Sequence, residues 1–205
     1  MRLVCLADTH NKHQDLVIPD GDILIHAGDC TDGGSKHEAE DFLNWMDAQM
    51  HPVKILVPGN HDFYFEKQEN LDKLPLSIHC LINTSLIIEH LHFWGSPITP
   101  GDGNWAFNEE RGQPIREYWD KIPARTNVLI THSPPYGIMD DIEKGIKFGC
   151  EELKQAVERV QPDYHLFGHI HYSAGLVRIK NTTYYNLSQL DERGRIMHSP
   201  AIINI

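Results

Sequence analysis

Ile23-Leu24-Ile25-His26-Ala27-Gly28-Asp29 sets the reading of the rest of the chain. Its uncharged, β-branched opening fits a buried strand, and Gly28 permits a tight turn where the apolar run gives way to a carboxylate. The same pattern recurs on both sides. Leu3-Val4-Cys5-Leu6 precedes Asp8, Ile55-Leu56-Val57 precedes Asn60, Val128-Leu129-Ile130 precedes His132, and His165-Leu166-Phe167 precedes His169 and His171. Periodicity alone does not separate such short runs from buried helices. In open α/β sheets, ligands collect outside the carboxyl ends of strands, so loops of this kind can converge on one place.

Helical patterns lie between these runs. From Ser35 to Met50, the residues Ala39, Phe42, Leu43 and Met46 share one face, and Ser35 with Glu38 makes a capping-box start. A second helix is predicted from Glu151 to Val160, with Leu153, Ala156, Val157 and Val160 on one face and Pro162 just beyond its end. Ile78 to Ile82, Leu86 to Glu89, His92 to Gly95, Leu176 to Ile179, Thr182 to Asn186 and Ala201 to Asn204 read as strands joined by short turns. Residues 96–120 read as a loop with a short helix. The expected architecture is α/β: a four-layer α/β/β/α sandwich of two mixed sheets flanked by helices. No repeat or linker divides the chain, so one domain, residues 1–205, is expected.

Composition narrows the function classes. The formal net charge is −11 and no block of Lys and Arg interrupts it, which argues against extended nucleic-acid binding but not against small phosphate esters. No apolar run is long enough to span a membrane, and Met1-Arg2 leads directly into a strand-like segment with no signal-peptide pattern. Cys5, Cys30, Cys80 and Cys150 show no CxxC spacing. Neither a disulfide framework nor a thiolate zinc site is signalled, and a cytoplasmic location is expected.

The chemistry-bearing pieces are Asp8-Thr9-His10, Gly28-Asp29-Cys30-Thr31-Asp32, Gly59-Asn60-His61-Asp62, Thr131-His132 and Gly168-His169-Ile170-His171. Carboxylate, imidazole and amide oxygen suit first-row divalent metals, and the lack of thiolate disfavours a closed structural zinc site. Asp8 with His10, and His169 with His171, are two apart. On extended backbone each pair would project to one side and could grip the same ion.

This ordered set resembles the calcineurin-like metallophosphoesterase superfamily, whose DxH, GDxxD, GNH(D/E), H and GHxH blocks are all matched. Asn104-Trp105-Ala106-Phe107-Asn108, Arg111-Gly112, Trp119-Asp120, Ile122-Pro123 and Pro134-Pro135 further resemble the MPPED-type branch, a group of class III phosphodiesterases. The resemblance implies two divalent ions, manganese foremost and iron or zinc compatible. Asp8, His10 and His171 would hold one, Asn60, His132 and His169 the other, and Asp29 would bridge them. It also implies a metal-bridging hydroxide as nucleophile and His61 as the group that protonates the leaving oxygen or stabilises the transition state. Asp62 is expected to orient His61.

Other residues carry plainer expectations. Arg111 could contact substrate phosphate or simply pair with a carboxylate. Cys30 is expected to pack beneath the site. The histidines at 13, 26, 37, 51, 79, 90, 92, 165 and 198 receive no function. A small phosphodiester such as a cyclic nucleotide is the expected substrate; a phosphomonoesterase or nuclease of the same fold is the alternative. A Ser/Thr protein phosphatase is disfavoured because Gly33 stands where that family carries Arg, and a non-catalytic binding module because every ligand position is filled. The sequence does not signal an oligomeric state.

Overall fold

The computed structural model describes residues 1–205. In chain order the strands are β1 (Arg2–Leu6), β2 (Ile23–Ala27), β3 (Val53–Val57), β4 (Ile78–Cys80), β5 (Thr84–Ile88), β6 (Leu91–Ser96), β7 (Thr99–Pro100), β8 (Asn108–Glu109), β9 (Val128–Thr131), β10 (Asp141–Glu143), β11 (Ile146–Lys147), β12 (Tyr164–Phe167), β13 (Gly175–Ile179), β14 (Thr182–Asn186) and β15 (Ala201–Asn204). The helices are α1 (Lys36–Asp47), α2 (Gln68–Leu71), α3 (Gln113–Trp119) and α4 (Glu151–Val160).

Two mixed sheets form the interior. One runs β15-β1-β2-β3-β4 and the other β13-β14-β12-β9-β6-β5. Within the first, β1 to β4 are parallel and β15 is antiparallel to β1. The second has parallel β6, β9, β12 and β14, with β5 and β13 antiparallel at its edges. The alternation of side chains along each strand explains the layering. Leu3, Cys5, Ile23, Ile25, Ile55 and Val57 of the first sheet meet Phe93, Val128, Ile130 and Leu166 of the second in the central core. Their neighbours Val4, Leu6, Leu24 and Leu56 face outward onto Ala39, Phe42, Leu43 and Met46 of α1. On the other flank, Trp94, Leu129 and Phe167 pack against α3 and α4. The result is the expected α/β/β/α order.

α1 is fixed at its start by the expected capping box: the Ser35 side chain accepts from the Glu38 amide while the Glu38 carboxylate accepts from the Ser35 amide. It ends at Asp47, one turn short of Met50, which is 90% exposed and gains nothing from continuing the apolar face. α4 spans the expected residues.

One buried histidine stands among the apolar residues of each outer sheet face. His26 on β2 lies against Phe42 with its Nε2 3.0 Å from Thr9 Oγ1, and His165 on β12 lies against Phe167 with its Nε2 2.8 Å from Thr131 Oγ1. Thr131 Oγ1 donates to the Ser133 carbonyl, so it accepts from His165 and fixes the Nε2–H tautomer. Burial drives the His165 imidazole down to about 3 from its ordinary 6.5. The folded chain therefore binds fewer protons than the unfolded chain at acidic pH. The stability contributed is complete above pH 6.5 and is lost as pH falls toward about 3. His165→Gln keeps a donor for Thr131 but cannot titrate. In denaturant unfolding across this range it should decline less steeply than the native chain, by up to about 1.4 kcal/mol per pH unit. An unchanged slope would assign the acid sensitivity to other groups.

Candidate metal centre

The loops leaving β1, β2, β3, β9 and β12 meet at one end of the sandwich. Their backbones are sharply turned rather than extended. Asp8, His10, Asp29 and His169 have φ of 54°, 39°, 54° and 70°, a region that side chains other than glycine enter at a cost of about 1 to 3 kcal/mol each. Ladder bonds hold them there: Asp8 N–H donates to the Gly28 carbonyl at 2.9 Å and His10 N–H to the Asp29 carbonyl at 3.1 Å. Gly28, at φ 105°, must be glycine for a second reason, because a Cβ there would overlap the His132 ring.

This geometry corrects the extended reading of both ligand pairs. Asp8 and His10 do meet, with His171, in one group whose ligand atoms lie within 4.8 Å of one another. His169 does not join His171. The left-handed turn at His169 sends its ring to a second group with Asp29 and His132, where ring centroids of His132 and His169 are 5.0 Å apart. Asn60 joins that second group through its Oδ1, 3.0 Å from His132 Nε2. Asp29 stands between the groups. Its Oδ2 is 3.2 Å from His132 Nε2 and 3.8 Å from His10 Nε2.

The donor set fits a pair of divalent ions. Asp29 and Asn60 aim oxygens at the same imidazole nitrogen in a fully buried corner, a crowding of electron-rich atoms that needs a cation or proton among them. Burial alone would lower the His132 imidazole, but Asp29 outweighs it and raises it to about 9. Burial likewise opposes ionisation of Asp29, yet His132, His10 and His61 hold that carboxyl well below its ordinary range. Outer contacts set the tautomers. His132 Nδ1 donates to the Ala27 carbonyl at 3.0 Å and His171 Nδ1 to the Asp191 carbonyl at 3.2 Å, so each turns Nε2 to the site.

Beside these groups lies a cavity of about 450 Å³ bordered by His10, Asp29, Asn60, His61, His169 and His171. His61 Nδ1 donates to the Asp32 carbonyl at 2.6 Å, leaving Nε2 as the free nitrogen. Trp105 lies 4.5 Å from the His61 ring and is half exposed.

Two residues stand elsewhere than expected. Asp62 does not touch the His61 ring. Its carboxylate is wholly buried and accepts from Thr31 N at 2.9 Å, Thr31 Oγ1 at 2.6 Å, Gly59 N at 2.8 Å and Cys30 N at 3.3 Å, so it ties the loop after β2 to the loop after β3. Sequence adjacency suggested contact, but the turn at Asn60–His61 sends the two side chains apart. Cys30 packs beneath the site as expected, with its Sγ 3.3 Å from Asp62 Oδ1. Arg111 spends both terminal nitrogens on the carbonyls of Gly149 and Phe148, at 2.9 and 3.1 Å, and holds Phe148 near the His169 ring, centroids 6.4 Å apart. Lys12, Ser188 and Asp191 border or support the site without having been anticipated. The Asp-x-x-Gly turn at Asp191–Gly194 was the one available signal.

Such a site on such a sandwich defines a metal-dependent hydrolase of phosphoric esters. Residues 1–173 match the family model of calcineurin-like phosphoesterases, and the chain belongs to that family. Its MPPED-type character is equally plain. It is 34% identical over 230 residues to human metallophosphoesterase domain-containing protein 1, covering all of this chain and 71% of the relative. A UPF0046 protein of Caenorhabditis elegans is 35% identical over 220 residues, covering all of this chain and 75% of that protein. Among solved structures, a protein described as GAP50, the anchor in the inner membrane complex of Plasmodium, shares the fold at a TM-score of 0.53 and 10% identity, covering 92% of this chain and 71% of its own. No helix is long and apolar enough to cross a membrane.

Asp62→Asn would replace an acceptor oxygen with an amide among the N–H and O–H donors of Gly59, Cys30 and Thr31. We expect a loss of about 1 to 3 kcal/mol in unfolding free energy, read by denaturant titration. Unchanged stability would remove the loop-tying role.

Proposed function

We propose that this chain is a dinuclear phosphodiesterase for small phosphodiesters, cyclic nucleotides among them. The observation that carries the reading is a pair of separate aromatic faces beside the metal-binding groups: Trp105 against His61, and Phe148, itself 44% exposed, near His169. The two faces suit the two organic substituents of an acyclic diester, where a monoester has only one; a cyclic nucleotide, whose two ester oxygens belong to one ribose, would seat its base on one of them. Arg111 then serves the substrate indirectly, by fixing Phe148.

In this reading Asp8, His10 and His171 hold one ion, Asn60, His132 and His169 the other, and Asp29 is shared. Manganese is the proposed metal, since mixed nitrogen and oxygen donors suit it better than magnesium; iron and zinc fit the same donors. Bound ions would supply Lewis acidity at the phosphoryl oxygens and an acidified water. His61 supplies the proton. The Asp32 carbonyl holds Nδ1–H, Trp105 lies against the ring, and His61 borders the cavity, so that in its imidazolium form the second proton, on Nε2, would pass to the departing oxygen and leave the neutral ring. The net negative charge and the lack of a block of Lys and Arg along the chain favour small esters over nucleic-acid duplexes. Four free cysteines accord with a reducing, cytoplasmic setting.

Purified protein loaded with Mn²⁺ should cleave bis(4-nitrophenyl) phosphate at least as well as 4-nitrophenyl phosphate, and chelation should abolish both activities. Strong monoester turnover without diester cleavage would overturn the proposal. His61→Ala should retain both metals and lose little rate on nitrophenyl esters, whose leaving group departs as an anion. On alkyl diesters the loss should be about 10² to 10⁴, because an alkoxide needs the proton. Equal losses on both would assign His61 to charge stabilisation instead.

A further inference from the structure

The family match ends at residue 173, yet two ligands of one ion group lean on residues beyond it. After β14 the chain crosses to the other sheet. Ser188 forms a parallel bridge with Ala7, with Ala7 N–H donating to the Leu187 carbonyl and Gln189 N–H to the Ala7 carbonyl, both at 3.1 Å. This places the buried Ser188 hydroxyl where it donates to Asp8 Oδ2. The same oxygen accepts from His169 N at 2.9 Å, so two donors fix the Asp8 carboxylate.

Three residues later the chain closes on itself. Asp191 Oδ1 accepts from the amides of Arg193 and Arg195, both at 2.9 Å, and Oδ2 from Arg195 Nε at 2.7 Å. The Asp191 carbonyl, thus held, accepts from Gly194 N at 2.9 Å and from His171 Nδ1 at 3.2 Å. Lys12, two residues past His10, donates to the Gly194 carbonyl. The second group is supported differently: His132 by the Ala27 carbonyl and Asp29 by the amide of His61, all within the matched region.

We propose that the segment Ser188–Arg195 is a metal-loading device for one ion only. It positions Asp8 and His171, and so sets occupancy of the ion held by Asp8, His10 and His171 independently of the ion held by Asn60, His132 and His169. The inference rests on the dinuclear reading of the site but not on its substrate. Positioning contacts of this kind change metal affinity by about 10- to 100-fold.

The test is manganese titration of the native chain, Ser188→Ala, Asp191→Ala and Arg195→Ala, read by metal analysis and by electron paramagnetic resonance, with circular dichroism to establish folding. At a Mn²⁺ concentration that fills the native chain with two ions, Ser188→Ala and Asp191→Ala should keep one. The spin-coupled pair signal should give way to that of an isolated ion, and the weakened site should need about 10- to 100-fold more metal. Ser188→Thr should restore the second ion. Arg195→Ala, at an exposed side chain, should show the same selective loss more mildly, and stands in should Asp191→Ala fail to fold. Equal weakening of both ions, or no weakening in folded Ser188→Ala, would overturn the proposal. Native chain that binds two ions but cleaves no diester would overturn the phosphodiesterase reading and leave this one standing.

Discussion

The contact between Asp29 and His132 is the constraint on which the rest of the structure depends. One residue follows a strand of the first sheet and the other a strand of the second, and their side chains approach to 3.2 Å with almost no exposure. Two polar groups buried this deeply are costly unless matched to each other and to a cation. The central core makes the approach possible: apolar inner faces of both sheets pack together and bring the carboxyl ends of β1, β2, β3, β9 and β12 to one edge. The left-handed turns at Asp8, His10, Asp29 and His169 store strain at that edge, where ladder bonds between neighbouring loops keep it.

Around that contact, most support is given by backbone rather than by side chains. Carbonyls of Ala27, Asp32 and Asp191 orient the rings of His132, His61 and His171, and amides of His61 and His169 orient the carboxylates of Asp29 and Asp8. A site built in this way is precise because it inherits the rigidity of the sheets. It also makes the chain's chemistry depend on loop residues whose own side chains do something else, Asp62 being the clearest example.

Much of the fold was legible because its determinants are local. The capping box at Ser35 and Glu38, the apolar stripe of α4 and the pattern of β14 act over a few residues, and the structure reproduces them nearly residue for residue. The seven proposed ligands were legible for another reason: motif order along the chain stands in for spatial convergence. What escaped was whatever depends on distant partners or on backbone sign. Ser188 reaches Asp8 across 180 positions, and Arg111 reaches the carbonyls of Phe148 and Gly149 across nearly 40. Spacing of two suggested that His169 and His171 share an ion, but a single positive φ separates them.

The central claim is that Asp29 joins two ions, one from each ligand group. Diffraction from crystals grown with Mn²⁺, collected near the manganese absorption edge, reads this directly. The account predicts two anomalous peaks about 3.5 to 4 Å apart, with Asp29 between them, Asp8, His10 and His171 around one, and Asn60, His132 and His169 around the other. A single peak, or a second ion seated among His10, Asp32 and His61 instead, would contradict it.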